Sequence, residues 1–319
     1  MISMKKLDEK KIIEKIQRGL DKKKFLSDDV ERFEIDGKKF VTKVDTFVES
    51  TDKPEKMTMY QAVRKSIISC VSDFACKGVK PQYAIISMNL PRTLKQKDIQ
   101  DITKSLKNSS KEFGIKILGG DMNEGREFVS HVCMFGKSQK NIKRNGAKNN
   151  DIIFATGPFG LTGVGMKVLL ENKKGDRKFV QECVKSVLMP KSRLKFGINV
   201  NKFITSSMDS SDGLSTTLNE MATQSKKKFL IEKIPTKKGV YDFARLNKID
   251  SFNLIFDAGE EFEFIFTANK RFEKKILSLA KKSRIPIIRI GYVISGKNVF
   301  LKDGKILKKI ENFGWSHFK

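Results

Sequence analysis

Residues 58–90 read TMYQAVRKSIISCVSDFACKGVKPQYAIISMNL, and the reading of this stretch decides the fold class. Met59, Val63, Ile67, Cys70 and Phe74 recur at steps of three and four, which is one apolar face of a helix from Thr58 to Lys77. Gly78 and Pro81 stop that helix, and the short apolar run Tyr83 to Leu90 follows as a buried strand. Helical spacing returns from Asp98 to Phe113 through Ile99, Ile102 and Leu106, until Gly114 ends it. A second strand, Ile115 to Leu118, runs into Gly119-Gly120-Asp121, and Glu127 to Phe135 adds further strand sequence. The polar stretch Gly136 to Asn150 holds no apolar run and reads as an interdomain connection.

The second half resumes with a strand at Asp151 to Thr156. A turn punctuated by Gly157, Gly160, Gly163 and Gly165 then leads into helical sequence at Met166 to Glu171. Further helices are expected at Phe179 to Leu188, stopped by Pro190, and at Ser211 to Thr223, with strands at Glu261 to Thr267 and Ile285 to Val293. The rhythm is α/β, or α+β, and the 319 residues divide into two domains, 1–138 and 139–319.

Composition narrows the function classes. Hydrophobic residues at 39% suffice for a buried core, which excludes wholesale disorder. No apolar run approaches the roughly 18 residues of a membrane helix, and MISMKKLDEKK lacks the pattern of a signal peptide, so a soluble cytoplasmic protein is expected. Cys70, Cys76, Cys133 and Cys183 form no CxxC pair, and the two histidines, His131 and His317, lie far apart. Any metal chemistry must therefore use oxygen ligands, which favours magnesium over zinc or copper.

A net charge of +27, from 64 Lys and Arg against 37 Asp and Glu, invites a nucleic-acid reading. The charge is mostly lysine spread from Lys5 to Lys319, with short runs at Lys22-Lys23-Lys24, Lys226-Lys227-Lys228 and Lys281-Lys282. A solvated face is the plainer account of such a distribution than a nucleic-acid stripe.

Acidic residues recur beside Gly or Ser at the ends of apolar segments: Asp28-Asp29, Asp45, Asp73, Asp121, Asp209, Asp212 and Glu260-Glu261. Singly, each reads as a cap or turn residue. Gathered in one crevice they would repel one another unless cations lay between them, and magnesium with substrate phosphates meets that need. Thr156-Gly157-Pro158-Phe159-Gly160 suits phosphate approach, yet it lacks a Walker ending and reads equally as a strand-to-helix turn.

These motifs carry a resemblance. Ser27-Asp28-Asp29, Val44-Asp45-Thr46, Val71 to Pro81, Gly119-Gly120-Asp121, Arg144-Asn145-Gly146-Ala147, Thr156-Gly157, Met208 to Leu214 and Gly259 to Phe264 follow one another in the order seen in thiamine-monophosphate kinases. That family belongs to the superfamily of aminoimidazole ribonucleotide synthetase and selenophosphate synthetase. The resemblance implies a two-domain homodimer whose N-terminal domains join their sheets. It also implies ATP and several Mg²⁺ ions in a cleft, and transfer of the γ-phosphoryl group to thiamine monophosphate to give thiamine diphosphate. Asp29, Asp45, Asp73, Asp121, Asp209 and Asp212 are then metal ligands, and Asp121, Asp209 and Asp212 the catalytic set. Gly120, Asp121, Arg144 and Ser211 would bind ATP, while Asp52, Glu260 and Trp315 would face the acceptor.

Some positions depart from the family pattern. Lys43 and Val44 stand where hydroxyl residues are usual, and Thr46 to Lys56 contains no histidine, with Asp52 near its expected place. Gly120-Asp121 is followed by Met122, and Asp257-Ala258-Gly259-Glu260-Glu261 replaces the usual Ser-Gly-Gly-Glu-Asp. The nucleotide and metal set is better kept than the acceptor set. Three other readings stay open at this level: a superfamily enzyme acting on another acceptor, a non-catalytic nucleotide-binding protein, and a nucleic-acid-binding protein.

Overall fold

The computed structural model describes residues 9–20, 27–138, 140 and 142–316. Lys5, the Lys22-Lys23-Lys24 run, His317 and Lys319 lie outside the described residues. The first half carries α1 (Glu9–Gly19), β1 (Glu31–Ile35), β2 (Lys38–Val48), the single turn α2 (Glu49–Asp52), α3 (Met59–Cys76), β3 (Tyr83–Pro91), α4 (Gln96–Phe113), β4 (Lys116–Gly125) and β5 (Val129–Lys137). The second half carries β6 (Asp151–Ala155), α5 (Leu161–Glu171), α6 (Arg177–Leu188), α7 (Leu194–Val200), β7 (Ile204–Asp209), α8 (Leu214–Ser225), β8 (Lys228–Ile231) and α9 (Lys238–Asn247). It closes with β9 (Phe264–Asn269), α10 (Glu273–Ser283), β10 (Ile288–Ile294), β11 (Val299–Asp303) and β12 (Ile306–Lys309).

The strands form two sheets, of order β1-β2-β5-β3-β4 and β12-β11-β8-β10-β6-β9-β7. Among the described strands only β3 with β4 and β8 with β11 run parallel, so both sheets are mixed and mostly antiparallel. In the first sheet α3 and α4 cover one face, where Val41, Ala84, Ile86, Val132 and Met134 are buried. The opposite face is open, and it exposes Val44 and Ile85. The second sheet is covered on both faces. Ile153 and Ala155 of β6 point toward α5, α8 and α9, while Ile152 and Phe154 point toward α7 and α10. Side chains alternate along a strand, so a strand buried on both faces reads as the unbroken apolar run 152–155.

Helix α3 lies between the halves. A reciprocal capping box starts it: the Gln61 backbone N–H donates to Thr58 Oγ1 at 3.3 Å, and the Thr58 N–H to Gln61 Oε1 at 2.9 Å. Gly78, with φ +63°, ends it in the left-handed conformation favoured after a helix. Most of its residues are buried, polar ones included, and those have partners. The Arg64 guanidinium forks onto Glu112 and also donates to the Pro190 carbonyl at 2.8 Å. Such pairing is what lets charged groups lie in the interior. Against α3 packs α7, and their backbones meet at Gly197, where a Cβ would lie 2.0 Å from the Ala75 carbonyl oxygen.

The structure sharpens several sequence expectations. The strand expected at Ile115 to Leu118 continues through Gly119-Gly120-Asp121 to Gly125, so that motif lies within an edge strand rather than at its end. The strand expected from Glu261 begins at Phe264, because Glu260 and Phe262 take left-handed φ values of 62° and 51° that no strand contains. Lys281 and Lys282 lie in the last turn of α10, where cations offset the carbonyl end of the helix dipole. Among the described residues no helix is long and apolar enough to cross a membrane.

Gly197→Ala is expected to cost about 1–3 kcal/mol, because the two helices must separate to admit the methyl group. Urea unfolding monitored by circular dichroism measures the loss, and a variant as stable as the wild type would refute the close approach.

Candidate active site

The carboxylates converge where β2, α3 and β7 meet. Asp45 lies on the face of β2 turned toward α3, Asp73 lies on α3, and Asp209 is the last residue of β7. Asp209 is buried and accepts a short hydrogen bond from Ser72 Oγ, one residue before Asp73. Asp29 enters from the segment before β1. Its Oδ1 accepts from Arg144 at 2.7 Å and its Oδ2 lies 2.5 Å from Lys77 Nζ. The same ammonium reaches Asp28 at 2.7 Å and donates to the Ser207 carbonyl at 2.8 Å. Lys43 Nζ lies 2.9 Å from Asp73 and 3.3 Å from Asp45. Asp212 follows β7 in the turn into α8 and accepts from Ser211 Oγ at 3.1 Å. That turn depends on Gly213, which at φ +106° sets its Cα against the Phe256 carbonyl.

The titration of these groups reflects crowding in a dry place. Burial drives the Asp209 carboxyl up to about 8, with Asp29 and Asp45 adding repulsion and Ser72 and Lys43 only partly offsetting it. Burial likewise raises Asp73 well above its ordinary value, aided by Asp45, Asp209 and Asp29 and resisted by Lys43. Asp212 is raised mainly by burial. Asp29 goes the other way: burial would raise it, but Arg144 and Lys77 together hold it far below the usual carboxylate range. Six carboxylates, Asp28, Asp29, Asp45, Asp73, Asp209 and Asp212, thus meet four cationic side chains, Arg32, Lys43, Lys77 and Arg144. The negative excess suits additional cations.

Among the described residues no three Asp, Glu, His or Cys side chains already surround a common point. Magnesium ordinarily keeps only one or two carboxylates and completes its shell with water and phosphate oxygens, so this oxygen-only donor set fits it. Arg144 Nε is buried without a hydrogen-bond partner in the chain, a donor available to an anion.

On the other side of the 211–212 turn lie the residues expected to face an acceptor. The Glu260 N–H donates to the Ser211 carbonyl at 2.7 Å and the Trp315 N–H to the Asp212 carbonyl at 2.9 Å. The indole of Trp315 is 61% exposed. The Glu260 carboxylate meets Lys65 Nζ at 2.6 Å, and that buried ammonium also donates to the Asp52 carbonyl at 3.0 Å. The Asp52 carboxylate is itself used locally, accepting from the Val48 N–H at 2.7 Å.

Two expected members stand apart within one chain. Thr46, His131, Ser87 and Asp121 pair in a row across four strands on the open face, whereas Asp45 pairs with Val132 on the covered face. Asp121 therefore lies three strands from Asp45 and on the opposite side, where it accepts from Asn123 at 2.8 Å. Gly120 is held away from the cluster on the same edge strand. The glycine turn after β6 is not an open phosphate cradle either. Glu261 accepts from the Gly160 N–H at 2.6 Å and the Thr162 N–H at 3.1 Å, and a Cβ at Gly157 would meet the Glu263 carboxylate.

Sequence reasoning gives Lys65 and Lys77 no role of their own, although Lys77 lies within the Val71 to Pro81 motif. A further signal is a basic residue within the apolar helix, 65 between Ala62 and Ile68, and 77 after Cys76.

Residues 27–138 match the family described as AIR synthase related protein, N-terminal domain, and residues 148–304 match the corresponding C-terminal domain. The two matches, in this order, define the class of two-domain protein to which the fold corresponds. The chain is 51% identical over 317 residues to the thiamine-monophosphate kinase of Nitrosopumilus maritimus, covering 99% of this chain and 100% of that one. It is 30% identical over 277 residues to the thiamine-monophosphate kinase of Pyrococcus horikoshii, covering 86% and 85%. A solved structure described as AaThiL complexed with AMPPCP and TMP aligns with a TM-score of 0.86 at 25% identity, over 99% of this chain and 100% of that one. This chain belongs to the thiamine-monophosphate kinase family.

Glu261 gives the site a pH signature outside the carboxylate cluster. Burial raises its carboxyl from 4.5 to about 7, against the pull of the Thr162 and Gly160 hydrogen bonds. A carboxyl raised on folding favours the folded state at low pH and loses that contribution as pH climbs from about 4.5 to about 7. Glu261→Gln keeps an acceptor for both amides and cannot ionise. Its stability relative to wild type is expected to rise across that window by on the order of 3 kcal/mol and then level off. Denaturant titrations at several pH values test this, and a difference independent of pH would contradict it.

Proposed function

We propose that the chain transfers the γ-phosphoryl group of ATP to the phosphate of thiamine monophosphate, giving thiamine diphosphate and ADP. The observation that carries this reading is the gathering of Asp29, Asp45, Asp73, Asp209 and Asp212 with Lys43, Lys77 and Arg144 in a chain that aligns over its length with a protein complexed with AMPPCP.

The bond from Pγ to the β-bridging oxygen breaks as a bond from Pγ to an acceptor phosphate oxygen forms. That acceptor oxygen is already anionic at neutral pH, so no histidine base or covalent nucleophile is needed. The chemical difficulty is bringing two polyanions together in line. Arg144, held rigid by Asp29 and Ser27, offers a fixed fork to ATP phosphate oxygens, and Ser211 supplies a hydroxyl at the turn. Magnesium, when bound, would be held by Asp29, Asp45, Asp73, Asp209 and Asp212 and would neutralise charge on the phosphate oxygens. Glu260 and Trp315 are both hydrogen-bonded to the Ser211-Asp212 turn and face the acceptor, where the indole face suits a cationic thiazolium ring. Asp52 acts there by ordering the chain below Lys65, since its carbonyl anchors that ammonium.

We assign Asp121 and Gly120 to the site through a second copy of the chain. The open face of the first sheet exposes Val44 and Ile85, and β4, where Leu118 and Met122 are also exposed, is an edge strand with unpaired backbone groups, features that a homodimer would cover. The units 1–138 and 139–319 then act as the dimerising nucleotide domain and the domain that closes over it. The cytoplasm suits this reaction, with ATP at hand and the four cysteines kept as free thiols.

Purified protein with ATP, Mg²⁺ and thiamine monophosphate should form thiamine diphosphate and ADP in equal amounts. Asp209→Asn should lower kcat by about 10²–10³-fold. ADP formation that is independent of thiamine monophosphate would overturn the acceptor assignment. Mixing inactive Asp121→Asn with inactive Asp209→Asn subunits should restore part of the activity, and no recovery would place Asp121 outside a shared site.

A further inference from the structure

Lys43 and Asp45 are two residues apart on β2 and so share the face turned toward α3. From that face the Lys43 ammonium reaches between two carboxylates, at 2.9 Å from Asp73 and 3.3 Å from Asp45. Its stem is largely covered, and its side chain is only 25% exposed. The space between Asp45 and Asp73 is where a divalent ion bridging them would lie, and a lysine ammonium cannot share it: like charges within about 4 Å repel strongly where water is scarce. A tethered ammonium also differs from a dissolved ion in one decisive way. It is present at every magnesium concentration, because its local concentration is set by the chain rather than by the medium.

We propose that Lys43 is a built-in cation of the carboxylate cluster, standing between Asp45 and Asp73 in place of a divalent ion, so that the nucleotide complex takes up one divalent ion fewer than it would with a neutral side chain at this position. This rests on the reading of the cluster as a nucleotide and magnesium site. Lys43 acts here as a charge-balancing and positioning residue: it holds Asp45 and Asp73 together before nucleotide arrives. Its ammonium carries three N–H donors against these two ion-paired carboxylates, so a donor remains for a phosphate oxygen. The cluster is thereby ordered in the absence of metal, and nucleotide binding draws on a smaller supply of free magnesium.

The test counts ions instead of turnover. Mn²⁺, an oxygen-liganded divalent ion visible by electron paramagnetic resonance, is titrated into the full chain with saturating AMPPCP and no acceptor. Lys43→Met is expected to bind one more Mn²⁺ per chain than wild type, and Lys43→Arg, which keeps the charge, the same number as wild type. Equal counts for wild type and Lys43→Met overturn the proposal. A second measurement needs no nucleotide: the melting temperature of Lys43→Met should fall in EDTA and recover in Mn²⁺, while that of wild type changes little. If wild type takes up no Mn²⁺ with AMPPCP, the nucleotide-site reading fails, and the EDTA comparison still decides the role of Lys43. If Lys43→Met does not fold, the double variant Lys43→Met/Asp45→Asn removes one charge of each sign. A folded, EDTA-resistant double variant supports the charge-balancing role, and one that stays unfolded overturns it.

Discussion

The buried ammonium of Lys77 is the interaction on which the rest of the structure depends. Only 1% exposed, it draws together Asp28 and Asp29 from the segment before β1, the C-terminal end of α3, and the Ser207 carbonyl on β7. Three distant parts of the chain, including both halves, are thereby fixed to one point. A buried charge is tolerated only when it is fully paired, and removing one partner of such a group strands the others. The Asp29 carboxylate is in turn the anchor for Arg144, so that guanidinium is placed by a lysine it never touches.

Around that point the site is built with more negative charge than the chain itself balances. Asp73 and Asp209 are driven up by burial and mutual repulsion, while Asp29, two contacts away, is driven down by its own cations. The same side-chain type thus takes opposite pKa shifts within one cluster, according to which cations stand nearest. Without ligands, the cluster relieves its repulsion by keeping protons.

Much of this was legible in the sequence, and the parts that were not have identifiable physical causes. The helix at 58–77 and the strand after it are read correctly because α3 presents an apolar stripe and ends at Gly78, a left-handed stop. The acidic positions near the site are legible because carboxylates beside Gly and Ser serve little purpose in a core. The hairpin of β1 and β2 escapes notice because its burial is slight and its residues, such as Glu31, Arg32, Lys38 and Lys39, are polar. Nor can periodicity reveal that Asp121 and Asp45 occupy opposite faces of one sheet, since strand order and register are set by pairing across the fold. Glu261 illustrates a further limit. As one of a row of acidic residues it looks like a ligand, yet it faces the amides at the start of α5, which no local pattern foretells.

The placement of Trp315 has an optical consequence. It is the only tryptophan in the chain, its backbone N–H is bonded to the carbonyl of Asp212, and the residue stands 61% exposed beside that turn. Emission excited selectively through indole therefore comes from a single location, and its wavelength follows the wetness of that location. The protein carries one intrinsic fluorophore, beside the Ser211-Asp212 turn, and it reports on that place without any label attached.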